Sequence, residues 1–185
     1  MRIVLINILL ILELFAINFP KYFSADFVQK IYSDNNTLTY KGKIYTDSKH
    51  VFWKYTYPNE KEIWINDKVY VYEPDLLQVT ISKKPEFNLF NALNKAKKIN
   101  SKEYEAVVDN KKVYFVFDNT LKKVWYTDDV GNKVVIIFNN QSDKNIKSSI
   151  FKPNFPKDID IIYQNWEDLQ AECGSMNLMQ LYIYL

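Results

Sequence analysis

Residues 53–83 read WKYTYPNEKEIWINDKVYVYEPDLLQVTISK. Three short runs rich in aromatic and β-branched residues are set apart by Pro58, by Asn66-Asp67 and by Glu73-Pro74-Asp75, each a turn signal. Runs this short leave no room for amphipathic helices. With turn residues between them, they predict consecutive antiparallel strands.

The same rhythm holds on both sides. Thr37–Thr46 reads as a strand with Gly42 inside it as a bulge or a close approach. Val51–Tyr57, Lys61–Ile65, Lys68–Tyr72 and Leu76–Ile81 follow. Tyr104–Val108, Lys112–Phe117, Leu121–Tyr126 and Lys133–Phe138 come later. A strand about every ten residues is the spacing of a sandwich, a barrel or a large curved sheet. Between the two groups, Pro85 and Glu86–Ile99 predict a helix, with Phe87, Phe90 and Leu93 at helical spacing and lysines at its C-terminal end. Phe23–Tyr32 fits helix or strand equally by pattern. Several strands are apolar on both faces: Val113, Phe115 and Phe117 lie on one side, Tyr114 and Val116 on the other. A sheet with one wet face would alternate, so a lid, a second sheet or a ligand is expected to cover the second face.

At 185 residues the chain is long enough for one domain with a sizeable core. Arg2 followed by the apolar run Ile3–Leu12, interrupted by Asn7 and closed by Glu13, predicts a secretory signal over residues 1–16 rather than a membrane anchor. Cys173 is the only cysteine. It excludes an intramolecular disulfide, and no cysteine follows the apolar run to take an acyl anchor. The expectation is an untethered periplasmic protein.

Catalytic patterns are missing. There is one histidine, His50, no glycine-rich phosphate loop and no nucleophile elbow. Asp128-Asp129 and Glu60/Glu62 read as a charged turn and a solvated strand face. The net charge of +2 lacks the concentrated basic stripe that nucleic acid requires. The reading is a non-enzyme with no cofactor and no metal, built around apolar strands whose inner surface is either an ordinary core or a lipid cavity.

Trp53-x-Tyr55-x-x-Pro58, Ile63-x-Ile65-x-Asp67, Tyr72-x-Pro74 and Gln78-Val79 resemble the signature of the LolA family of periplasmic lipoprotein carriers. Phe23-Ser24-Ala25-Asp26-Phe27-Val28-Gln29 resembles that family's opening strand, which favours strand over helix there. Phe151-Lys152-Pro153-Asn154 and Phe155-Pro156 resemble its last turn. The resemblance implies a mainly β fold, an incomplete antiparallel β-barrel with a helical lid, over residues 17–163, with 164–185 as a tail of no family counterpart. It implies that a concave face holds lipoprotein acyl chains, received from an inner-membrane LolCDE-type transporter and passed to an outer-membrane acceptor, LolB-type or other, by a monomer. A runner-up is an envelope sensor or interaction domain on the same fold. The family's Arg-Pro before the Trp strand, which helps hold its lid, is replaced here by Asp47-Ser48-Lys49-His50.

On that implied cavity, Val51, Trp53 and Tyr55 share a face by period two and form one wall, extended by Ile63 and Ile65 and by Tyr72 and Leu76. Phe115, Phe117, Ile136 and Phe138 form the far wall. Phe87, Phe90 and Leu93 are the inner face of the lid.

Overall fold

Phe23, Ala25, Phe27, Gln29 and Ile31 are buried while the residues between them are only half-buried, a period of two that makes Phe23–Ser33 a strand, β1. The computed structural model describes residues 19–34, 36–84, 89–108 and 110–164. The expected signal segment 1–16, Phe87 and all but the first residue of the tail 164–185 lie outside these. The other strands are β2 (Asn36–Thr46), β3 (Val51–Tyr57), β4 (Lys61–Ile65), β5 (Lys68–Glu73), β6 (Gln78–Lys83), β7 (Lys97–Lys98), β8 (Glu103–Val108), β9 (Lys111–Asp118), β10 (Thr120–Thr127), β11 (Lys133–Ser142) and β12 (Asp160–Gln164). One helix, α1 (Leu89–Leu93), lies between β6 and β7.

All twelve strands form one sheet, in the order β12-β6-β5-β4-β3-β2-β1-β11-β10-β9-β8-β7. Two meanders, β1–β6 and β7–β11, join where β1 pairs antiparallel with β11, Phe27 opposite Phe138. Only β12 is parallel to its neighbour, β6. The pairing is otherwise antiparallel, as tight turns between consecutive strands require.

The inward side chains of β1–β5 and β8–β11 belong to one continuous hydrophobic cluster, so the sheet curls around it. Gly42 makes part of this curl possible. A Cβ there would collide with the Lys54 carbonyl oxygen and come within 2.9 Å of the Phe27 ring. The register also shifts between Lys41 and Gly42, so this position is both a bulge and a close approach. Without a side chain at 42, Phe27 leans across β2 and meets Trp53 and Tyr55 of β3 edge-on, each at 5.0 Å.

The second apolar face of β3–β6 is covered by the chain itself. Residues 143–159 run across it and close a second cluster of Phe52, Trp64, Tyr72, Val79 and Phe151, with Ile146, Ile150, Phe155 and Ile159 against it. Trp64 Nε1 donates to the Ile150 carbonyl (3.1 Å) and Asn66 Nδ2 to that of Phe151 (2.7 Å), which fixes this strap in place. Asp160 N donates to Leu77 O (2.9 Å) and leads β12 onto the free edge of β6. On these strands the cover is therefore a strap of chain, not a lid, a second sheet or a ligand.

Two expectations are corrected. Among the described residues the Glu86–Ile99 helix is only the five-residue α1. Beyond Leu93 the chain turns so that Lys97 and Lys98 pair with Glu105 and Tyr104, and these strand bonds replace the helix's last turns. Leu76 does not begin a strand. Pro74–Leu76 is a 3-10 turn closed by Leu77 N to Pro74 O, and Leu77 takes the left-handed conformation before β6 begins at Gln78.

Candidate functional site

The register of β3 against β4 sets Trp53 opposite Ile63 and Val51 opposite Ile65, so Val51, Trp53, Tyr55, Ile63 and Ile65 all face inward together. Phe115, Ile136 and Phe138 reach the same cluster from β9 and β11, and Phe117 packs against its rim, half-buried. Phe90 and Leu93 of α1 are buried in it too, 4% and 1% exposed. The Phe90 ring lies 5.0 Å from Phe19 and 6.2 Å from Phe23, and Phe23 meets Phe138 edge-on at 5.8 Å. A line of aromatic rings thus runs from β11 through β1 to the helix.

Two expected wall residues do not join this face. Tyr72 pairs with Glu62 and Val79 and belongs to the outer cluster under the strap, its ring 6.1 Å from Phe155. Because β5 is apolar on both sides, period two groups Tyr70 with Tyr72, and Val69 with Val71, without telling which pair turns inward. Leu76 is 62% exposed on its turn. Conversely, Phe27 and Phe23, which the sequence offers only as part of an opening strand, are central members. Their alternation with Ala25 was the available signal.

Few polar groups interrupt the inner face. Tyr55 Oη donates to Gln29 Oε1 (3.2 Å) with both side chains buried. Burial pushes the Tyr55 phenol well above its ordinary pKa, so it remains a neutral donor. Beside the aromatic line is a cavity of about 520 Å³. Its apolar lining is Phe19, Pro20, Phe23, Phe117 and Leu121, and Asn119, Gln141 and Asp143 line it with polar groups. This volume falls in the range of about 300–1,000 Å³ typical of ligand sites.

The charged groups weighed for chemistry hold turns and strand pairs instead. Asp128 accepts from Val130 N (3.1 Å), Asn132 N (2.7 Å) and Asn132 Nδ2 (3.0 Å). Asp129 pairs with Lys111, and Glu62 with Lys54 at 2.7 Å. His50 Nδ1 sits 2.9 Å from Asp47 Oδ2, and its ring lies 5.7 Å from Phe151. Asp47 also accepts from Lys49 N (3.0 Å) and His50 N (2.8 Å). Burial raises the Asp47 pKa, but the His50 ring, these two backbone donors and the histidine's charge outweigh it and leave the carboxyl below its ordinary value. The stretch that stands in place of Arg-Pro is thus a closed turn beside the strap, and Lys49 is exposed on it. Among the described residues no three His, Cys, Asp or Glu gather as metal ligands, and no helix is long and apolar enough to cross a membrane.

No family model matches the chain. It is 34% identical over 163 residues to the outer-membrane lipoprotein carrier protein of Campylobacter jejuni subsp. jejuni, covering 85% of this chain and 96% of that one. It is 41% identical over 124 residues to the outer-membrane lipoprotein carrier protein of Wolinella succinogenes, covering 64% and 72%. Among solved structures, an uncharacterized conserved protein from Thermus thermophilus shares the fold, with a TM-score of 0.51, 11% identity, and 78% and 91% of the two chains covered.

Proposed function

The chain belongs to the family of outer-membrane lipoprotein carrier proteins, and on that premise we propose how its inner face does the carrying. The protein carries lipoproteins to the outer membrane, a binding task and not an enzymatic one. The cargo's difficulty is its acyl chains. Each methylene left in water costs about 0.8 kcal/mol, roughly 10 kcal/mol for a long chain. The inner face of the half-open barrel takes these chains. Val51, Trp53, Tyr55, Ile63 and Ile65 form one wall, and Phe115, Phe117, Ile136 and Phe138 the other. Aromatic walls supply area without demanding one shape, so acyl chains of different length fit.

A helical lid reduced to α1 closes this face, with Phe90 and Leu93 as its inner side. The observation that carries the reading is the burial of Phe90 and Leu93 in the same cluster as Trp53, Phe115 and Phe138. In the empty protein the helix occupies surface that an acyl chain would cover. Lipid and helix compete for it, so net affinity is the difference of two apolar burials, and release remains possible. The 520 Å³ cavity beside Phe19 and Phe23 supports the same reading, because it opens at the edge of the cluster next to the helix contact.

The cycle runs in the periplasm. An inner-membrane transporter of the LolCDE type loads the carrier, and an outer-membrane acceptor, LolB-type or other, unloads it. The carrier acts as a monomer, without a cofactor. Mass spectrometry of protein purified from the periplasm should find lipoprotein or acyl lipid bound. Trp53→Glu and Phe90→Glu should each stop lipoprotein release from inner-membrane vesicles. If both variants carry cargo normally, the inner face is not the binding surface.

A further inference from the structure

The two halves of the sheet differ on their outer face. Over β3–β6 the strap seals it. Over β8–β11 and β1 the outward side chains stay at least partly open to solvent, and none of the described segments crosses them. There they fall into two cross-strand rows. In one, Glu105, Tyr114, Trp125, Val135, Lys30 and Thr39 are successive partners. In the other, Glu103, Val116, Lys123, Ile137, Val28 and Lys41 follow one another, and the row runs on to Tyr57. The Tyr114 and Trp125 rings stack at 3.9 Å, and Lys133 Nζ lies 5.1 Å over the Trp125 ring.

The charge on this face is mixed, with a positive excess. Its carboxylates are already engaged: Glu105 with Lys112 (3.2 Å), Asp118 with Lys102 (3.1 Å), Asp26 with Lys43 (2.6 Å), and Glu103 with the Asn100 amide (2.7 Å). Lys30, Lys41, Lys123 and Lys133 stand in or beside the apolar rows and leave the strip positive.

We propose that this strip is a docking surface for an anionic lipid bilayer. Trp and Tyr side chains settle at headgroup level, lysine stems lie along apolar surface while their ammonium groups reach phosphate, and anionic headgroups attract each lysine without fixed geometry. A protein partner fits less well. Protein interfaces are depleted in lysine, whereas four lysines stand in or beside these apolar rows. Docking by the outer face leaves the inner face free to exchange acyl chains, and it does not depend on which cargo that face takes.

The test is flotation of the full protein, purified from the periplasm of a host cell, with vesicles of phosphatidylcholine alone or mixed equally with phosphatidylglycerol. Binding should be at least about tenfold greater to the anionic vesicles and should fall as salt rises. Lys30→Glu with Lys123→Glu should abolish it with melting temperature unchanged. Trp125→Ser should weaken it, while binding of a soluble acyl probe stays normal in both variants. Equal binding to the two vesicle types, or binding indifferent to Lys30→Glu/Lys123→Glu, overturns the proposal. So does a self-associated protein that Trp125→Ser turns into monomer, because the strip would then be a contact between two copies.

Discussion

Phe90 on the short helix and Phe23 at the start of β1 stand 6.2 Å apart, ring centre to ring centre. The helix lies against β8 and reaches the strand that joins the two meanders through this ring. Phe19 sits between them, 5.0 Å from Phe90 and 5.2 Å from Phe23. Apolar ring contacts hold this seat.

A seat made of apolar contacts is weakened by trimming a ring. Phe90→Ala removes the ring contact of α1 with β1 and raises the fraction of protein whose inner face is open. Affinity for a fluorescent acyl probe should rise about fivefold to tenfold, read by titration. Unchanged affinity would mean that helix and ligand do not compete.

The strap has a different role. Phe151 is 4% exposed at the centre of the outer cluster. Phe151→Ala should cost about 3–4 kcal/mol in urea unfolding, from lost burial and the cavity left behind. The acyl probe should bind the folded variant as it binds the parent, since the strap lies on the other side of the sheet.

Gly42 admits no side chain. Gly42→Ala brings a methyl group against the Lys54 carbonyl and the Phe27 ring. It should destabilise the fold by about 3 kcal/mol, measured by denaturant midpoint, because backbone cannot yield as a flexible side chain would.

The Asp47 turn gives a pH dependence of definite sign. Its carboxyl lies below its ordinary pKa in the folded protein, so its contribution is fully present above the unfolded value, about pH 4. It is lost as pH falls through the lower folded value. Asp47→Asn should cost about 1 kcal/mol at neutral pH and flatten the acid limb of the stability curve below about pH 4, followed by circular dichroism melts.

Much of this molecule could be read before its structure. Val51–Tyr57 and Lys61–Ile65 carry their own stop signals in Pro58 and Asn66-Asp67, and their observed bounds match those signals. The inward set Val51, Trp53, Tyr55, Ile63 and Ile65 followed from period two. That rule fails where both faces are apolar, and so it does not find Tyr72 on the outer side, where the structure has it. The strap was not legible. Ile146 and Ile150, and Phe151, Phe155 and Ile159, recur four apart as on a helix, yet Pro153 and Pro156 rule a helix out, and their partners Phe52 and Trp64 lie far back in the chain. Nor could the helix be sized, because Lys97 and Lys98 suit a helix end as well as the edge strand they form.

The most direct test of the inner face as the acyl site is photo-crosslinking. A lipoprotein carrying a diazirine on one acyl chain is loaded onto the protein, irradiated, and the attachment sites are mapped by mass spectrometry. The account predicts attachment to inward residues such as Trp53, Phe115 and Ile136. Attachment confined to outer-face residues such as Trp64, Tyr72 or Ile150 would contradict it.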